Sequence, residues 1–70
     1  MKYISLDNGR TYTNAHDAMP AIMDHCLWDA LVARMDDDAR EQVCFELAPC
    51  AEEDFLRRYL EIAPCDLVIG

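Results

Sequence analysis

The stretch Lys2-Tyr3-Ile4-Ser5-Leu6-Asp7-Asn8-Gly9-Arg10-Thr11-Tyr12-Thr13 decides the fold class. Lys2 to Leu6 alternates polar and apolar residues, and Tyr3 and Ile4 supply β propensity. Asn8-Gly9 is the strong hairpin signal, because a two-residue type I′ loop needs positive φ at both central positions. That register sets Asp7 opposite Arg10, Leu6 opposite Thr11 and Ser5 opposite Tyr12, with a short second strand from Arg10 to Thr13. At the other end of the chain, Cys65-Asp66-Leu67-Val68-Ile69 is too apolar to lie free in solvent. It reads as a closing strand beside the hairpin in a small sheet covered by helices. Which hairpin strand it joins is not legible from the pattern.

Between these ends the chain turns helical. Asn14 and Asp17 are both candidate caps; a cap at Asp17 puts Pro20 in the first turn, where its missing N–H costs nothing. A start at Asn14 puts Pro20 deeper and predicts a kink or a separate first turn. The main helix is expected from about Ala18 to Met35, with Met19, Ile22, Met23, Cys26, Leu27, Ala30 and Leu31 on one broad face. Trp28, Val32 and Met35 fall on another side, nearly opposite Met19. A helix apolar around so much of its circumference is either central to the core or covered by a partner.

Asp36-Asp37-Asp38 ends that helix and starts the next, expected from Ala39 to Leu47. Asp38 and Glu41 have capping-box spacing, with Asp36 and Asp37 as alternative caps. Val43, Cys44 and Leu47 form its apolar stripe, and Phe45 points elsewhere. A third helix from Ala51 to Ile62 opens on Glu52-Glu53-Asp54, at the end where the helix dipole favours negative charge. Pro49 and Pro64 stop these two helices in the echoed stretches Glu46-Leu47-Ala48-Pro49-Cys50 and Glu61-Ile62-Ala63-Pro64-Cys65, which read as the same stop signal used twice. The expected architecture is α+β: a single domain over 1–70, with an N-terminal hairpin and C-terminal strand packed by three helices.

Composition narrows the function. Of the 70 residues, 53% are hydrophobic, enough to build a core. Fourteen acids against six bases give a formal charge of −8. That balance argues against direct binding to nucleic acid or to an anionic membrane, both polyanions that need basic surface. No apolar run approaches the roughly 20 residues of a membrane span, and Met1-Lys2-Tyr3 is too polar to open a signal peptide. The expectation is a soluble, cytoplasmic protein.

Cys26, Cys44, Cys50 and Cys65 sit among apolar neighbours, so packing is their first reading, with a disulfide behind it. A metal site from Cys44, Cys50, Cys65 and His25 is a minor alternative, because the gaps lack the close cysteine pair of a zinc knuckle. Catalytic chemistry finds little support. Ser5 is the only serine, and His25 and Cys26 point about 100° apart on a helix. Asp36-Asp37-Asp38 lacks the glycine and twelfth-position glutamate of a calcium loop, and Gly9 and Gly70 cannot build a phosphate cradle. No cofactor is expected, and no enzyme.

The distinctive feature is charge. Asp36, Asp37, Asp38, Glu41, Glu46, Glu52, Glu53 and Asp54 face a single base, Arg40, so this segment carries −7 of the formal −8. If those carboxylates share a face, their spacing approaches that of phosphates along a nucleic-acid strand. Trp28, Val32 and Met35 add an apolar anchor. The expected function is a non-enzymatic module that engages a basic protein, one that itself binds nucleic acid in the sharpest version. The alternative is a homodimer formed through Trp28, Val32 and Met35.

The opening Met1-Lys2-Tyr3-Ile4-Ser5-Leu6-Asp7-Asn8-Gly9 and the acidic helical body resemble small accessory proteins of bacteria, phages and plasmids, anti-CRISPR proteins among them. The resemblance is one of size, charge and construction. It implies an inhibitor that covers a nucleic-acid-binding surface of another protein.

Overall fold

The hairpin forms, one residue out of the expected register. A computed structural model describes residues 2–47 and 49–69. Met1, Ala48 and Gly70 lie outside the described residues, and with them the Ala48 position of the echoed helix stop. Strand β1 (Ile4–Ser5) pairs antiparallel with β2 (Thr11–Tyr12), Ile4 opposite Tyr12 and Ser5 opposite Thr11. The loop is therefore Asp7-Asn8-Gly9, closed by the Leu6 N–H donating to the Arg10 carbonyl at 3.1 Å. Gly9 alone takes positive φ, at 78°, and its N–H returns to the Leu6 carbonyl at 3.1 Å. This is the three-residue turn with a glycine bulge. Asn8 contributes through its side chain instead, its Oδ1 accepting from the Arg10 N–H at 2.9 Å.

Burial explains the shift. Directly opposed residues share a sheet face, and a one-residue slip exchanges the faces. The two-residue loop would set Tyr12 beside Ser5. The observed register sets it beside the fully buried Ile4 and against the core, while Ser5 Oγ and Thr11 Oγ1 meet at 3.3 Å on the other face.

Strand β3 (Leu67–Val68) adds parallel to β1, giving the order β2-β1-β3. The N–H groups of Leu67 and Ile69 donate to the carbonyls of Tyr3 and Ser5 at 2.9 and 2.8 Å. A parallel partner needs a crossover, and the helices supply it.

Among the described residues there are four helices, which corrects the expectation of three: α1 (Ala15–Asp24), α2 (Trp28–Arg34), α3 (Asp37–Leu47) and α4 (Glu52–Ile62). Asn14 is the cap of α1. Its Oδ1 accepts from the Asp17 N–H at 2.9 Å, and its Nδ2 donates to the Asp17 carboxylate at 3.0 Å. Pro20 thus lies inside α1, which continues through it to Asp24 without the expected separate first turn.

The single helix expected over Ala18–Met35 breaks after Asp24. Cys26 takes φ 53°. Its N–H donates to the Met23 carbonyl at 3.2 Å, and the Leu27 N–H to the Ile22 carbonyl at 2.9 Å. That pair of bonds is a Schellman stop, normally built on glycine, with Leu27 and Ile22 as its apolar partners. A straight helix over those residues would be about 27 Å long, close to the 31 Å long axis of the whole molecule. The break instead turns α2 back over β3, where the Arg34 guanidinium donates to the Val68 carbonyl at 3.1 Å. It also settles the wheel puzzle: Leu31 and Met35, which a straight helix would turn about 120° and 160° away from Met19, enter the same core as Met19 and Ile22.

Helix α3 is capped by Asp36, whose Oδ2 accepts from the Ala39 N–H at 3.0 Å. Val43 on α3 and Leu56, Tyr59 and Leu60 on α4 complete the core.

Candidate functional site

Three short elements meet around one opening. Trp28 and Val32 come from α2, Arg40 and Cys44 from α3, Cys50 from the α3–α4 connection, and Glu52 and Phe55 from the first turn of α4. Together they line an open groove of about 280 Å³. The spacing of Arg40 and Cys44, and of Trp28 and Val32, is four residues, so each pair stacks on one helix face. Trp28 meets Phe55 edge to face, with ring centroids 6.2 Å apart and planes at 81°, an attractive arrangement for two aromatic rings. The walls are apolar and aromatic, and one base and one acid stand at the rim.

Trp28 and Val32 are half-buried here. Met35 is not with them: it is 5% exposed and belongs to the core, because the break at Cys26 re-aims its side chain. Phe55, Arg40, Cys44 and Cys50 are members of this cluster that the sequence pattern does not announce. The four-residue spacing of Arg40 and Cys44 is the one available signal. Phe45, next to Cys44, is 93% exposed. Its departure from the α3 stripe is visible in the sequence.

The cysteine expectation is corrected. Cys26, Cys44, Cys50 and Cys65 are all free and exposed rather than packed in the core. Beside Cys44 it is Val43 that takes the buried position, which leaves the thiol on the outer side of α3.

The eight acids do not form one uniform bank. Asp36 is engaged in the α3 cap, and its backbone N–H donates to the Tyr59 hydroxyl at 2.8 Å. Asp37 pairs with Arg40 at 3.1 Å, and Glu46 with Arg58 at 2.9 Å. Glu53 meets Arg57 at 3.2 Å and His16 of α1 at 3.4 Å, while Asp54 meets Arg57 at 3.3 Å. Among the described residues Asp38, Glu41 and Glu52 make no ion pair. The acids of the α4 first turn diverge, with Glu53 turned to α1 and Glu52 to the cavity. The α3 start is tied to Tyr59, seven residues beyond Glu52, or about 10 Å along the helix axis.

Arg58 takes both glutamates of the echoed stretches, Glu46 at 2.9 Å and Glu61 at 3.0 Å. The Arg58 hydrogen bond holds the Glu46 carboxyl below its ordinary pKa, and the two carboxylates raise that of Arg58. Burial pushes the Tyr59 phenol up, partly opposed by the hydrogen bond from the Asp36 N–H.

A second opening of about 290 Å³ lies between the start of α1 and α4, lined by Asn14, Ala15, His16, Arg57, Leu60 and Glu61. It holds no hydroxyl or thiol, and Arg57 is already paired with Glu53 and Asp54. His25 Nδ1 lies 2.9 Å from Asp7 Oδ1 and ties the end of α1 to the hairpin loop. Ser5, two residues from Asp7, is turned to Thr11. Among the described residues no group of three or more His, Cys, Asp or Glu side chains is placed to hold a metal ion, and no helix is long and apolar enough to cross a membrane. No protein-family model matches the chain, and neither the curated proteins nor the solved structures give a match.

Proposed function

We propose that the chain is a non-enzymatic docking module, a regulator or inhibitor, that seats an apolar side chain of a basic partner in the cavity between α2, α3 and α4. The observation that carries this reading is the aromatic cavity of Trp28, Val32 and Phe55, with Glu52 at its rim on a chain of net charge −8. Buried aromatic anchors supply most of the affinity of small interfaces, and surrounding charge speeds encounter and selects the sign of the partner. Of the eight, Asp38, Glu41 and Glu52 have neither an arginine nor a helix-cap partner among the described residues, so they are the groups offered to a partner's lysines and arginines. We keep the partner at the level of a basic protein. Mimicry of a nucleic-acid strand asks for a longer row of unpaired carboxylates, and Arg40, Arg57 and Arg58 hold four of the eight.

The test is affinity capture with three baits: the native chain, Val32→Arg, and the triple variant Asp38→Lys, Glu41→Lys, Glu52→Lys. One basic protein held by the native chain at low salt and lost with both variants is the expected result. Equal recovery on all three baits refutes the docking reading. Recovery of the chain itself alone, with dimer formation abolished by Val32→Arg, transfers the assignment to a homodimer.

A further inference from the structure

The four cysteines are not equivalent. Cys26 stands at the break after α1 and Cys65 just before β3, whereas Cys44 and Cys50 line the same cavity. Both are exposed and free. That is unusual for a residue type that is ordinarily among the most buried.

We infer that Cys44 and Cys50 form a redox site, a dithiol that closes to a disulfide by exchange with a low-molecular-weight disulfide such as glutathione disulfide. Both thiols line one opening of about 280 Å³, and a disulfide between them asks for a Cα separation of roughly 4.4–6.8 Å. Five residues separate the two positions, so ring closure costs little chain entropy. The described residues around the two thiols are not fixed by the core. Phe45 and Leu47 are exposed, as are Pro49 and Cys50, and the end of α3 is held from outside by the exposed Arg58–Glu46 pair.

The exchange balances in two steps. One thiol loses its proton to solvent, and its thiolate attacks the small disulfide, giving a mixed disulfide and one small thiolate. The second protein thiolate then attacks the sulfur of the first cysteine and expels the other small thiolate. The protein loses two protons and two electrons, and the small disulfide is reduced to two thiols. A closed bond draws the α3–α4 connection against Trp28 and Phe55 and fills part of the cavity. That consequence for docking rests on the proposed function. The thiol chemistry does not, and it is tested on the free chain so that the two fail separately.

The native chain is equilibrated with glutathione disulfide, blocked at low pH and cleaved after arginine, which releases 41–57 with both thiols on one peptide. The expected result is the loss of two hydrogens from that peptide, with Cys26 and Cys65 carrying glutathione or remaining free. A Cys26→Ser, Cys65→Ser chain, altered only at exposed positions, should show the same loss in its intact mass, reversed by dithiothreitol. A 41–57 peptide that carries only glutathione adducts, or is unchanged, overturns the inference.

Discussion

The two ends of α3 obey different physics. At the start, Asp36 caps the helix with its carboxylate, gives its own N–H to the Tyr59 hydroxyl, and is followed by the buried Ala39 and Val43. At the finish, Cys44, Phe45 and Leu47 are exposed, and the hold is an ion pair in water between Arg58 and Glu46. Buried contacts fix the first end to one arrangement. Exposed pairs hold the second weakly, since surface salt bridges are worth little. The two thiols of the inferred redox pair, Cys44 and Cys50, lie at this weak end, outside the core.

The widest contrast should come from two residues on α3 that are only two apart, Val43 and Phe45. Val43→Ala should lower unfolding free energy by about 2–3 kcal/mol, from lost burial plus the space left behind, as read by urea denaturation. Tyr59→Phe is next. It strips the Asp36 N–H of its acceptor and should cost about 1–2 kcal/mol.

The same substitution carries a pH signature. Burial raises the Tyr59 pKa, so the fold favours the neutral phenol. The unfolded chain ionises first, near the ordinary value of about 10. The contribution is therefore complete below that pH and lost as pH climbs through the folded value. Alkaline titration of stability should be flatter in Tyr59→Phe than in the native chain; identical slopes would contradict the role given to the buried phenol. At the weak end the sign reverses. Glu46 is held low by Arg58, so its share of stability is present above about pH 4.3 and disappears on acidification through the folded value. Arg58→Gln should remove that acid dependence.

Smaller effects bear on the same contrast. Cys26→Gly relieves the left-handed strain at φ 53° and should stabilise by about 0.5–1 kcal/mol after the greater backbone entropy of glycine is set against it. Phe45→Ser should change stability by no more than about 0.5 kcal/mol, since the ring is 93% exposed. A large loss there would mean that the finish of α3 is held as firmly as its start.

Sequence periodicity is enough for the α+β class, the hairpin, the closing strand, the Asp36 region as a helix start, and the stops at Leu47 and Ile62. Each depends on contacts within a few residues: turn chemistry, caps and a missing proline N–H. The break at Cys26 is not legible, because the apolar period continues across it and neither glycine nor proline marks the spot. The candidate site is half legible. Trp28 and Val32 stand out by their angle on the wheel, but Phe55, Cys44 and Cys50 join them only because α2 folds back and brings three elements to one opening. Arginine partners for the acids are invisible for a related reason, since Arg58 and Glu46 are twelve residues apart.

By itself the sequence determined the net charge, the ends of α3 and α4 and the choice of a mixed fold, because these are sums over composition or consequences of local geometry. The tertiary structure alone decided the hairpin register, the parallel pairing of β3 on β1, the division of one expected helix into α1 and α2, and which carboxylates stay unpaired. Those outcomes depend on how one shared core is filled, and an inward-facing side chain such as Tyr12 or Met35 selects among backbone arrangements that are nearly equal in local energy.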